Sequence, residues 1–210
     1  MSVYMWRLCF ILAAVFLLAG GPQHPNGTMV EMLAHPAWVR SHALMLVGFV
    51  VLLIGLIALP RSLPLPARTR RWTRYAVIGT ALQAVEMAFH TAAVVDHANL
   101  AAGYPTPVLT THLAMTLLLY PIFAVTFAGF VIAAARDRVV GSRWIAWMGV
   151  AGGAAHGAAA ILAVGLGVAG AEILFPLLML CAVWLAFAGL WPVRVKALGP
   201  AGTAQGSFPG

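Results

Sequence analysis

Six apolar stretches, each about long enough to cross a bilayer, dominate the chain and leave it few ways to fold. A transmembrane helix needs about 20 mainly apolar residues at a rise of about 1.5 Å each. The expected spans run from Tyr4 to Ala19, Ser41 to Leu59, Tyr75 to Val95, Thr110 to Ala135, Trp144 to Val168 and Glu172 to Leu190. Pro60, Pro64, Pro66, Pro105 and Pro107 fall between spans, where a ring without an N–H does least harm. Pro121 and Pro176 fall inside spans and predict kinks. Only 8% of residues are charged and 62% are hydrophobic, against about 25% charged in an ordinary soluble domain. So little charge cannot coat so much apolar chain, which excludes a water-soluble globule. Two cysteines, Cys9 and Cys181, both lie within apolar runs and exclude a disulfide scaffold. The expected fold is an all-α polytopic membrane helix bundle. It has one transmembrane domain over residues 1–196 and a disordered cytoplasmic tail over 197–210.

The cations set a direction. Arg61, Arg68, Arg70, Arg71 and Arg74 crowd the link between spans two and three. Arg136, Arg138 and Arg143 fill the link between four and five, and Arg194 and Lys196 follow span six. With Arg7 near the start, six crossings bring all of them to one side. The positive-inside rule makes that side the cytoplasm, with both termini in it and the plasma membrane as the location. Arg40 is the lone outward cation, while Glu31, Asp96 and Glu172 fall outside. Because the arginines lie in short links, the positive excess reflects topology and not nucleic-acid binding. The first span has a second reading, a cleavable signal peptide ending near Ala19-Gly20-Gly21. Ala19 and Gly21 make a poor cleavage site, so an uncleaved span is preferred.

Spans two and four open alike, with Ser41-His42-Ala43-Leu44-Met45 and Thr111-His112-Leu113-Ala114-Met115. Spans three and five both follow an Arg-Trp pair, Arg71-Trp72 and Arg143-Trp144. The similar offsets predict a tandem repeat of a helix hairpin, an arrangement that tends to place sites at the repeat interface. Span five adds Gly149, Gly153 and Gly157, a small-residue face for close packing that turns His156 into the bundle.

The histidines avoid the cytoplasmic links. His24 and His35 lie in the outer loop, His42 and His112 open spans two and four, and His90 and His97 lie at the outward end of span three. Methionines keep helical spacing to three of them: His42 with Met45, Met87 with His90, and His112 with Met115. Residues three or four apart share a helix face, so three helices each offer an imidazole and a thioether. Gln83, Glu86, His90 and His97 extend this into a polar stripe. A carboxylate such as Glu86 inside a span costs a few kcal/mol or more unless paired, protonated or bound. Individually, a histidine at a span end is an ordinary interfacial residue and a methionine ordinary filler. Their shared side, depth and face make them a candidate site, with Glu86 orienting His90 or compensating a metal's charge.

Imidazole suits copper, zinc and iron, and thioether selects soft Cu(I). The expected site is therefore a copper site formed by His42, Met45, Glu86, Met87, His90, His112 and Met115, with His156 behind it. Its role would be delivery to a membrane oxidase, uptake, or sequestration. The alternative cofactor is haem b, held by axial histidines drawn from His42, His90, His112 and His156. Helix rise argues against the simplest version, because it puts His90 and His156 roughly 9 and 16 Å below His42 and His112. A third reading is an accessory subunit or lipophile carrier with no metal. A zinc hydrolase, with Glu86 as base, is weaker because no HExxH pairing appears. No phosphate loop, CxxC or GxSxG is present, and Lys196, the only lysine, is in the tail.

Overall fold

The computed structural model describes residues 4–191, and no strand occurs among them. Eight α-helices follow one another: α1 (Met5–Gly20), α2 (Met29–Ala34), α3 (Ala37–Ser62), α4 (Ala67–Ala92), α5 (His97–Ala101), α6 (Pro107–Arg136), α7 (Arg143–Ala159) and α8 (Met179–Leu190). Short 3-10 and π-helical turns extend them into six segments apolar and long enough to cross a membrane. These are Met5–Gln23, Ala37–Ser62, Ala67–Ala101, Pro107–Arg136, Arg143–Gly165 and Ala171–Leu190. In hydrocarbon every backbone N–H and C=O must be satisfied within the protein, and a helix does this locally. The protein is a polytopic membrane bundle. The expected tail, with Arg194 and Lys196, lies outside the described residues.

Helix ends differ from the expected spans in a consistent way. Spans two and four begin about a turn earlier, at Ala37 and Pro107, and span three begins two turns earlier, at Ala67. Arg68, Arg70, Arg71 and Arg74 hid the start of α4 from hydropathy, while Arg40 and Pro107 set the expected starts of the other two too late. Pro107 is the first residue of α6 and Pro60 lies in the last turn of α3, so neither is a linker residue as expected. Proline is favoured at a helix start, where its missing N–H has no partner to lose. α6 runs on through Pro121, whereas the stretch around Pro176 is wound as a 3-10 helix, Ala171–Leu178.

The spanning helices close a ring in chain order. α3 packs on α1 and α4, α4 on α6, α6 on α7 and α7 on α8, and α8 returns to α1. The two expected hairpins, α3–α4 and α6–α7, are thus neighbours joined through α4 and α6. Phe10, Phe49, Phe123, Phe127, Phe130 and Trp184 are fully buried in the centre and meet edge-on or stacked. The glycines of α7 let it approach its neighbours closely. A Cβ at Gly152 would lie 2.8 Å from the Cys181 backbone nitrogen and 2.9 Å from the Leu177 carbonyl oxygen. Backbone cannot step aside as a side-chain tip can. Gly152→Ala is therefore expected to push α7 from the sixth span and cost about 1–3 kcal/mol, measured as a lower melting temperature in detergent.

Two small helices and a turn cover the histidine end. Leu33 of α2, Trp38, Ala93 and Leu109 form a separate apolar cluster there. Buried Asp96 accepts the Leu109 N–H at 2.8 Å, supplying the cap that the first turn of α6 lacks. α2 is started by a capping box: Thr28 Oγ1 accepts the Glu31 N–H while Glu31 Oε2 accepts the Thr28 N–H at 2.7 Å. Those hydrogen bonds hold the Glu31 carboxyl below its usual pKa. A depressed carboxylate pKa stabilises the fold above the unfolded value of about 4.3, and the contribution is lost as pH falls through the folded value. The protection of the Met29–Leu33 amides against exchange, measured relative to their intrinsic rates, is expected to fall over that acid window, and Thr28→Ala to produce the same loss of protection at neutral pH. Unchanged protection in both would show that packing alone holds α2.

Candidate metal centre

Close contact between α1 and α3 begins the site. A Cβ on Gly20 would fall 2.7 Å from the Ser41 carbonyl oxygen, and the Ser41 hydroxyl donates to the Gly20 carbonyl at 3.0 Å. The turn after α1 then brings half-buried His24 beside His42, with ring centroids 4.8 Å apart. His42 lies five residues into α3, and His112 lies five residues into α6, about 7.5 Å below each helix start. His90, near the end of α4, lies between them, 4.0 Å from the His42 ring and 3.9 Å from the His112 ring. The expected difference in depth is thus corrected: His42, His90 and His112 are level. The early starts of α3 and α6 carry His42 and His112 one turn deeper than hydropathy suggests.

Hydrogen bonds fix the tautomers. Nδ1 of His42 faces the Trp38 carbonyl oxygen at 2.7 Å, and Nδ1 of His24 faces the Pro25 carbonyl oxygen at 2.8 Å. A carbonyl only accepts, so each Nδ1 carries the proton and each Nε2 keeps its lone pair. The buried Nε2 of His42 has no hydrogen-bond partner. His112 Nδ1 lies 2.7 Å from Glu86 Oε1 and donates to it. Burial holds the His24 imidazole below its usual pKa, partly offset by the bond to Pro25.

Glu86 is fully buried and well satisfied. Oε1 also accepts the Thr116 hydroxyl at 3.0 Å, and Oε2 accepts the Gln83 amide at 3.1 Å. Its expected partner was His90, but that ring nitrogen is 3.9 Å away and the close contact is to His112. Helix spacing puts Glu86 and His90 on one face; the side chain instead bends across to α6, where an N–H donor is within reach. Two sets of potential ligands result, His24 with His42 and His90, and Glu86 with His90 and His112, each with its donor atoms within 4.8 Å of one another. Trp38 packs against them, 4.2 Å from the His42 ring and 5.2 Å from the His90 ring.

The other expected residues lie elsewhere. Met45 and Met87 are buried in the apolar core, Met45 next to Gly20. Met115 lines a shallow groove on α6 with Thr110, Ala114 and Leu118. His156 is buried behind the cluster and stacks on Tyr120 at 4.1 Å, with neither ring nitrogen hydrogen-bonded. Tyr120 Oη in turn lies 3.3 Å from His90 Nδ1. His97 starts α5 and belongs to neither ligand set. Exposed His35 accepts the Ala37 N–H at 3.1 Å at the start of α3. Sequence reasoning passed over His24 as a ligand because it lies in a turn with no periodicity. The signal present was a His-Pro pair directly after a small-residue helix end. Trp38, Thr116 and Tyr120 gave no signal beyond their apolar or neutral setting.

Compared with known proteins, the chain matches no family model, no curated protein and no solved structure. The functional reading therefore rests on the site itself.

Proposed function

We propose that this membrane protein binds a transition metal ion, copper first, through His24, His42 and His90, with His112 and Glu86 as the adjoining pair. The observation that carries the reading is the convergence of three imidazoles from three chain segments while His24 and His42 each have Nδ1 tied to a carbonyl. Metal-binding histidines are oriented this way, the second nitrogen donating to a carbonyl or carboxylate while the first keeps its lone pair. The His42 Nε2, buried and without a protein partner, is the kind of atom an ion satisfies. Glu86 supplies a negative charge near the site, and Trp38 limits water access.

Copper is favoured on the imidazole set and on its place at the top of the divalent affinity order. Thioether softness no longer supports the choice, since Met45 and Met87 belong to the packed core. A bare ion is favoured over haem b because the His42, His90 and His112 rings pack against one another about 4 Å apart. A porphyrin plane needs its two axial rings well separated, on opposite faces. We place the histidine end outside the cytoplasm and the arginine end within it, from the positive-inside rule, with the plasma membrane as location. In that setting the site serves delivery to a membrane oxidase, uptake, or sequestration.

The test is to purify the full chain in detergent, offer Cu(I), Cu(II) and Zn(II) separately, remove excess ion and measure metal content with an absorption spectrum. Copper retained in a fixed ratio to the chain supports the proposal. A Soret band on the protein as isolated would select haem. No retained metal and no Soret band would leave the polar cluster as a tie between α4 and α6.

A further inference from the structure

At the opposite end of the bundle, the start of α4, the end of α6 and the start of α7 enclose a cleft of about 550 Å³. Arg68, Arg136 and Arg143 line it together with Ile132, Trp147 and Val150. All three arginines are exposed, and none lies within ion-pairing distance of a carboxylate among the described residues, where the only such contacts join Glu86 to histidines. The one carboxylate close by in sequence, Asp137, accepts the Thr69 hydroxyl at 2.7 Å. That bond ties the start of α4 to the end of α6 and holds Arg68 near Arg136. Two of the cations occupy unfavourable places: Arg68 and Arg143 are in the first turns of α4 and α7, where the helix dipole prefers an anion. Three unpaired guanidiniums and two helix starts therefore share one unmet need for negative charge.

The walls identify the source of that charge. Ile132, Trp147 and Val150 lie on the spanning segments themselves, and Trp144 and Trp147 are 86% and 68% exposed, as residues at a headgroup layer are. A free inorganic anion gains nothing from apolar walls, whereas a phospholipid lays its acyl chains along them. We infer that this cleft is a binding site for an anionic glycerophospholipid, its phosphate held by Arg68, Arg136 and Arg143. Guanidinium forks match phosphate oxygens in pairs, and basic pockets between spanning helices recognise such headgroups.

The full chain, purified in neutral detergent, would be incubated with equal amounts of phosphatidylglycerol and phosphatidylcholine, and the lipid retained per chain measured by mass spectrometry. Phosphatidylglycerol should be enriched at one per chain. Each arginine near an anionic headgroup contributes about fivefold, so the variant R68Q/R136Q/R143Q should bind it on the order of a hundredfold more weakly. The charge-matched control R61Q/R71Q/R74Q, at the same end but outside the cleft, should bind as the unmodified chain does. Should the triple variant fail to fold, judged by its helical circular dichroism, Arg136→Gln alone should show the fivefold loss. Three results would overturn the inference: equal retention by the cleft variant, an equal loss in the control, or displacement of the lipid by millimolar inorganic phosphate.

Discussion

Replacing His42 with phenylalanine should abolish metal retention while leaving the bundle folded. The ring of His42 is fully buried, 4.2 Å from Trp38 and 4.0 Å from His90, so a phenyl ring fills the same space. What it lacks is the Nε2 lone pair, together with the Nδ1–H that donates to the Trp38 carbonyl oxygen. Substitutions outside the ligand shell of a metal site cost about 10- to 100-fold in affinity, so losing a ligand should cost more than about 100-fold. His24→Ala should also weaken binding, and His35→Ala should leave metal content unchanged, because His35 is exposed and serves only the Ala37 N–H. Elemental analysis after gel filtration reads all three. Full metal content in His42→Phe, or a loss in His35→Ala equal to that in His42→Phe, would remove His42 from the ligand set.

The second large effect concerns Glu86. Its carboxylate accepts from His112, Thr116 and Gln83; Thr116 can turn to the His112 carbonyl oxygen at 3.0 Å, so Glu86→Ala leaves the buried His112 and Gln83 donors without an acceptor. Each buried donor left without its acceptor costs about 1–3 kcal/mol, and apolar surroundings give the orphaned groups no water to turn to. A pronounced fall in melting temperature is expected. Glu86→Gln keeps an acceptor oxygen for His112 and removes the charge, so it should retain most of the stability. If Glu86 compensates a bound cation, the same variant should bind metal about 10- to 100-fold more weakly. The two variants thus separate holding the helices together from serving the ion. A cycle with His112→Ala should give a coupling of about 0.5–3 kcal/mol, as expected for residues in direct contact. Additive effects would show that the His112–Glu86 contact contributes little to the fold.

Much of the architecture was written in the linear order of residues. Six apolar runs predict six spanning helices, and the described residues hold six helices long and apolar enough to span. The grouping of His42, His90 and His112 was also foreseeable, since all three lie at the same end. Their partners were not. Met45 shares the buried side of α3 with His42, yet it faces the core next to Gly20, because three residues advance a helix by 300° and leave it 60° off the starting direction. Met115, offset from His112 by the same 60°, faces a surface groove.

The chain's own composition and periodicity determined that it spans a membrane, how many times, and at which end its imidazoles gather. Hydropathy averages over a window, so it registers how many helices there are while blurring each start by a turn, or about 5.4 Å. Only the packed ring decided that His90 is level with His42 and His112, that Glu86 reaches across to His112, and that a turn after α1 contributes His24. Those outcomes depend on the rotation and axial shift of one helix against another, quantities set by contacts such as Gly20 on Ser41 that no single segment contains.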